Sequence, residues 1–236
     1  MSRLAVGSLA LALSLGTATG AHAQAIGSEW VGVTEFEPSP ELFTFELRVG
    51  AYRPNLEPAF TTSFGGDLGP LLSLEFDVHL FRIPYIGPVA IGGNFGWVEW
   101  TGAATTATAT TGNVGETGMS LVPMALLGMV RIDGLARELR VPVVITPKLG
   151  LDVGYWQTGT TGVTQGEGWS VGLRWAVQIA LELDFLEARA ARRVDQEWGI
   201  NHTVIFCELF GSTMGGASML PVGTDLAWVA GLGVTF

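Results

Sequence analysis

Ionisable and amide side chains recur along this chain at two-residue and four-residue spacing. Glu46 and Arg48 do so, then Glu75, Asp77 and His79, then Lys148 and Asp152, then Arg174, Gln178 and Glu182, with Glu208 further on. Groups of these types could pair in a buried network, line a path for cations, or serve in acid–base catalysis. Acids outnumber bases among them, so a conducting path would prefer cations. A hydrolase would need a Ser or Thr, a His and an acid in contact, with an oxyanion donor nearby. The histidines are His22, His79 and His202. Only His202, flanked by Asn201 and Thr203, offers even the start of such a set, and no catalytic residue is expected. Isolated histidines and the single Cys207 lack ligand spacing for zinc, and the acids form no calcium loop, so no metal or other cofactor is expected. No phosphate-binding glycine loop occurs.

The spacing itself points to the elements that carry these groups. In WSVGLRWAVQIALELD, Trp169, Val171, Leu173, Trp175, Val177, Ile179, Leu181 and Leu183 share one face. Ser170, Arg174, Gln178, Glu182 and Asp184 share the other. A period of two held this long is a strand longer than the usual 5–6 residues. FTFELRVGAY sets Phe43, Phe45, Leu47 and Val49 against Thr44, Glu46, Arg48 and Tyr52. LLSLEFDVHLF sets Leu72, Leu74, Phe76 and Val78 against Ser73, Glu75, Asp77 and His79. VAIGGNFGWVEW, LVPMALLGMVR, ITPKLGLDVGYW, INHTVIFCELF and DLAWVAGLGVTF complete eight strands. LVPMALLGMVR is apolar on both faces and contains Pro123, so its register is open.

Composition says what surrounds those strands. Hydrophobic residues make up 48% of the 236 and charged residues 14%, with a mean hydropathy of +0.39. Soluble domains average roughly 25% charged. The stretch MSRLAVGSLALALSLGTATGAHA reads as a signal peptide, with Arg3, a short apolar run and an Ala21-His22-Ala23 cleavage site. The rest has no uninterrupted apolar run of the roughly 20 residues that a membrane helix needs. An exported, apolar chain of alternating strands fits a closed barrel, which satisfies every backbone group in lipid. The net charge of −10 argues against nucleic acid as a partner.

The connections fit an outer-membrane barrel, with long loops on one side. Residues 53–70, TGAATTATATTGNVGET, QTGTTGVTQGEG and STMGGASMLPVGT read as outer loops; IPYIGP and IDGLAREL read as inner turns. LEARAARRVDQEWG reads as a short amphipathic periplasmic helix. Tyr52, Trp97, Trp100, Tyr155, Trp156 and Trp169 are placed in an outer aromatic girdle, and Phe43, Phe81, Tyr85, Phe185 and Phe236 in an inner one. Cys207 reads as a small packing residue. Trp228, Leu232, Val234 and Phe236, on a strand that ends in Phe, resemble the C-terminal signal recognised by barrel-assembly machinery during insertion.

ARRVDQEWGINHTVIFCE, residues 191–208, resembles a segment of a myxobacterial-type outer-membrane β-barrel family of unassigned function. The matching positions are Asp195, Glu197, Gly199, Asn201, His202, Thr203 and Glu208. LELDFLEARA and the strand–loop rhythm fit the same family over most of the chain. The resemblance implies location and fold, and brings no reaction or ligand. Asp195, Glu197, Asn201 and His202 are expected to tie the helix to the periplasmic rim.

These readings combine into an all-β protein, an eight-stranded antiparallel transmembrane β-barrel with one short periplasmic helix between strands six and seven. Residues 1–23 form the signal peptide, 24–42 a periplasmic lead-in and 43–236 the barrel. A monomer is expected in the outer membrane of a Gram-negative cell, both termini periplasmic, in contact with outer-membrane lipid and lipopolysaccharide. Glu46, Arg48, Glu75, Asp77, His79, Lys148, Asp152, Arg174, Gln178, Glu182 and Glu208 point inward as a paired polar plug, because buried charges need partners. The expected role is structural or surface-interacting. The alternatives are a small cation-preferring pore, a lipid-acting enzyme built on His202, and a soluble secreted barrel with an apolar ligand cavity.

Overall fold

The computed structural model describes residues 40–103, 116–139, 141–160, 163–184 and 199–236. The strands are β1 (Phe43–Tyr52), β2 (Gly69–Ile83), β3 (Gly87–Ala103), β4 (Glu116–Val130), β5 (Val143–Thr160), β6 (Val163–Glu182), β7 (His202–Ser212) and β8 (Thr224–Thr235). Each pairs antiparallel with its sequence neighbours, and β8 returns to β1. The ring therefore leaves no free sheet edge. Two short helices, α1 (Ala59–Phe64) and α2 (Gly134–Glu138), lie between β1 and β2 and between β4 and β5.

Alternation builds the wall. Leu72, Leu74 and Phe76 of β2, and Trp169 to Ile179 at odd positions of β6, are exposed on the outside. Ser73, Glu75 and Asp77, and Ser170, Arg174 and Gln178, are buried inside. In β4 the odd positions Leu121, Pro123, Ala125, Leu127 and Met129 point inward. This resolves the register that two apolar faces left open. Pro123 tolerates its place because the β3–β4 ladder is interrupted there, between Phe95–Met124 and Val98–Leu121.

Phe236 is stitched to the first strand. Its carbonyl accepts from Leu42 and Phe43 N–H at 2.5 and 3.0 Å, and its N–H donates to Phe43 O at 2.8 Å. Trp228, Leu232 and Phe236 stand exposed on the outer face of β8, with Val234 on the same side and half-buried.

Several expectations are corrected. QTGTTGVTQGEG is mostly not a loop: β5 runs to Thr160 and β6 starts at Val163. Backbone pairing wins over a Thr/Gly composition that reads as coil. Residues 53–70 contain α1, and IDGLAREL contains α2, so the helices found here lie at other connections than the expected one. Residues 185–198, which include the expected helix with Phe185, Asp195 and Glu197, lie outside the described residues. So do residues 104–115 of the Thr/Ala run and residues 1–39. Tyr52, Trp100 and Trp156 are not girdle residues: Tyr52 and Trp100 are buried in the lumen and Trp156 packs against the same cluster. Cys207 is exposed on the outer wall rather than packed inside.

Candidate functional site

The lumen is stratified. The end of the barrel where β1 starts and β8 finishes is the terminus end, and the opposite end is the loop end. At the loop end, Tyr52, Phe60, Phe64, Trp100, Met119, Leu121, Phe210, Met214 and Val222 form an apolar stopper. Phe60 of α1 meets Trp100 edge-on, centroids 5.5 Å apart, and Tyr52 stacks on Phe210 at 6.2 Å. The Tyr52 hydroxyl donates to Val222 O at 2.7 Å, which satisfies its one polar atom.

Beneath the stopper lies the charged layer. Arg48 donates through Nε and Nη2 to Glu46 at 2.9 and 2.8 Å. It reaches both Glu208 oxygens at 3.1 and 2.7 Å, and Glu75 at 2.8 Å. Lys148 bridges Glu75 and Glu208 at 2.5 and 2.9 Å, and lies 3.8 Å from Glu46. Gln178 donates to Glu46 Oε1 at 2.8 Å, and Asn94 to Glu75 Oε2 at 3.3 Å. The guanidinium of Arg48 lies 5.3 Å from the Phe206 ring centroid, and that of Arg174 lies 4.0 Å from the Phe210 centroid. Asp152 faces Arg174 at 3.8 Å.

All these side chains come from inward positions of different strands, so the layer exists only when the ring closes. The side chains of Arg48, Glu75, Lys148 and Glu208 are 0% accessible. Solvent touches none of the four. Low dielectric strengthens each pairing and makes each missing partner costly.

The terminus end carries a second set. Thr44 Oγ1 bonds His79 Nε2 at 3.0 Å and Thr235 Oγ1 at 3.1 Å. Arg131 donates to Thr235 at 3.0 Å and pairs with Glu182 at 3.4 Å. Asp133 holds Arg82 and Arg137, the latter at 2.9 Å. Glu41, just before β1, meets Arg137, Arg82 at 3.8 Å and His202 Nε2 at 3.5 Å. His202 Nδ1 bonds Asp184 at 2.5 Å. Asn201 N–H donates to Thr235 O at 2.7 Å. Burial works against ionisation of Glu41, but the His202 hydrogen bond and the Arg137 charge outweigh it and hold its carboxyl at about 2.

The structure thus brings nine of the sequence-derived lumen residues into the middle of the barrel. It sets His79 and Glu182 toward the terminus end. His202 ties the lead-in and the end of β6 to β7, through Glu41 and Asp184. Beyond the expected lumen set, the structure adds Thr44, Asn94, Thr146 and Arg131 inside, and Glu41, Arg82, Asp133 and Arg137 at the rim. Thr44 and Asn94 share parity with Glu46 and Trp100, a signal that was available. The pairing of α2 with Glu41 had none. The fold also gathers Glu46, Glu75 and Asp77, whose carboxylate oxygens lie within 4.8 Å of one another, a metal-capable set that linear spacing did not reveal.

Toward the loop end the long β3–β6 strands turn polar. Glu99, Thr101, Thr117, Ser120, Gln157 and Thr164 line an open cleft of about 370 Å³.

No family model matches, and no curated protein matches. Among solved structures, the attachment invasion locus protein Ail of Yersinia pestis, crystallised with the heparin analogue sucrose octasulfate, aligns at 10% identity over 83% of this chain and 97% of its own, with a TM-score of 0.45. Neisserial surface protein A aligns at 10% identity over 82% and 97%, with a TM-score of 0.48. The N-terminal barrel of Pseudomonas aeruginosa OprF aligns at 10% identity over the same shares, with a TM-score of 0.40. These scores leave the fold resting on the chain's own ladder of eight paired strands.

Proposed function

We propose that this protein is an integral outer-membrane β-barrel with a side-chain-filled lumen and no enzymatic role. It holds a polar strand extension at the cell surface for interaction. The observation that carries this reading is the combination of an apolar wall outside and a charged, sealed layer inside.

The outward run of β6 from Trp169 to Leu181 is uninterrupted apolar. At about 3.3 Å per residue and a tilt near 40°, it covers about 30 Å, enough for the roughly 25 Å apolar band of such barrels. Trp97 and Trp169 are exposed at its loop-end border, and Phe43, Phe81 and Tyr85 at its terminus-end border. This supports two interfacial aromatic belts. In this reading residues 1–23 are an export signal and both termini are periplasmic. The cleft bordered by Glu99, Thr101 and Thr164 then stands outside, where lipopolysaccharide and surface partners are met. The Phe236 terminus would be read by the assembly machinery, and segment 191–208 is the ground for setting the chain beside the myxobacterial-type family.

Cell fractionation with a heat-dependent gel shift tests this. Recovery in the outer membrane, in a form whose mobility changes on boiling, is expected. Recovery of an unshifted form in the periplasm or medium would contradict it.

A further inference from the structure

The polar cleft toward the loop end has a floor and two walls. Two rows of residues cross β3, β4, β5 and β6 in register. One row is Glu99, Ser120, Gln157 and Glu167, and the next is Thr101, Gly118, Gly159 and Thr164. Ser120, Gly118 and Gly159 are small and make the floor. The taller side chains of β3 stand on one side of it, and those of β5 and β6 on the other. Gly118 is not forced by its neighbours: a Cβ there would meet nothing closer than Trp100 O at 3.8 Å, an ordinary contact. Its missing side chain leaves the cleft open.

The walls are positioned. Gln157 Nε2 donates to Thr164 Oγ1 at 2.7 Å, which turns the Gln157 amide oxygen and the Thr164 hydroxyl hydrogen to other partners. The Tyr155 hydroxyl donates to Glu167 at 2.7 Å, and the Tyr155 ring lies 5.0 Å from that of Trp169 on the side toward the membrane wall.

The chemistry is that of hydroxyls, one amide and the Glu99 carboxylate, with Met119 and Val163 as the apolar members. Among the described residues the lining holds no Lys, Arg or His. Residues 97–122 and 149–173 contain none in sequence either. A phosphate or sulfate would meet Glu99 and Glu167 with no counter-charge. An uncharged sugar fits instead. Each of its hydroxyls both donates and accepts, and a carboxylate accepts O–H donors strongly. The apolar face of a sugar ring suits the exposed rings bordering the cleft. The volume of about 370 Å³ falls in the range of small-ligand pockets.

We propose that this cleft binds an uncharged sugar, carried by a free oligosaccharide or by the headgroup of a glycolipid. The inference deepens the surface-interaction reading and rests on it for the side of the membrane on which the sugar is met.

The test folds the full chain into phosphatidylcholine vesicles and verifies the barrel by gel shift. Maltotriose binding is read by saturation-transfer NMR. In separate vesicles containing digalactosyldiacylglycerol, the glycolipid retained by the extracted barrel is measured. Wild type should bind at least one of the two. Maltotriose binding assigns the site to free glycans, and retention of the glycolipid alone assigns it to membrane lipid. Gly118→Leu adds bulk to the floor without a backbone clash, so it should fold and weaken binding by about tenfold or more. Should it fail to fold, Gln157→Ala takes its place and should also weaken binding. Folded wild type that binds neither sugar, binds no better than the folded variant, or prefers a sulfated heparin oligosaccharide overturns the site. Recovery of the protein outside the outer membrane would overturn the surface reading and leave the sugar result in vesicles as it stands.

Discussion

Arg48 on β1 and Glu208 on β7 meet at 2.7 Å in the middle of the barrel, and solvent touches neither side chain. Strand β8 lies between their strands. The contact therefore runs through the lumen rather than along the wall, and it joins the first strand to the seventh. A pair of this kind adds little over an apolar substitute, but losing one partner strands the other.

Arg48→Met should accordingly be severe. It leaves Glu46, Glu75 and Glu208 with Lys148 as their one remaining close cation. The expected loss is about 3–5 kcal/mol, as for other broken buried pairs. Urea unfolding followed by tryptophan fluorescence and gel shift measures it. Glu208→Gln, which keeps the shape and a hydrogen-bond acceptor, should cost less than Arg48→Met.

The seam between the chain ends gives a steric prediction. Gly231 on β8 pairs with Arg48 on β1, and a Cβ at Gly231 would lie 2.0 Å from Leu47 O and 2.8 Å from the Phe206 ring. Backbone cannot yield there without opening the ring. Gly231→Ala should cost about 1–3 kcal/mol and lower the fraction of heat-modifiable barrel on refolding. Unchanged yield and stability would mean the seam is looser than described.

At the terminus end, the anchorage of the lead-in should depend on pH. Glu41 titrates at about 2 in the folded protein against an ordinary 4.5. A depressed carboxyl contributes stability that is present above 4.5 and is lost as pH falls toward 2. Protection of the Leu42 and Phe43 amides, taken as the exchange rate relative to the unstructured rate at each pH, should fall through that window. Glu41→Gln should exchange fast at neutral pH and lose this dependence. A lead-in equally protected at pH 2.5 and pH 7 would contradict the role given to Glu41, Arg137 and His202.

Cys207 reports on the wall. It is exposed on the outer face of β7, at the register of Ile179 and Ala230. In lipid vesicles a water-soluble maleimide should leave it unmodified, and the same reagent should label it after unfolding in detergent and urea. Rapid labelling of the folded protein in vesicles would mean that this face is wet.

Much of this was legible in the residues themselves. Alternation from Trp169 to Glu182 marked β6, and the same parity marked Glu46 and Arg48 as inward. The misreadings came where residue type was allowed to outweigh parity. Tyr52 follows Arg48 and Gly50 on the inward side, and Trp100 follows Asn94 and Val98, yet their closeness to strand ends suggested an interfacial belt. Both fill the lumen, because a narrow ring above a charged layer needs large apolar side chains to exclude water. β4 was ambiguous for a physical reason: its inward face packs on the apolar halves of the lumen, so both sides are apolar and the two registers look alike. α1 has six residues, too few for a helical period to show. The meeting of Asp77 with Glu46 and Glu75 depends on neighbouring strands coming into register, which no linear spacing encodes.

Single-channel recording tests the central claim most directly. The sealed layer of Arg48, Glu75, Lys148 and Glu208 requires that the folded protein, verified by gel shift and inserted in a planar bilayer, pass no current. Silence is the expected result. Discrete, reproducible, cation-selective steps from the same preparation would contradict a closed lumen and make the protein a pore.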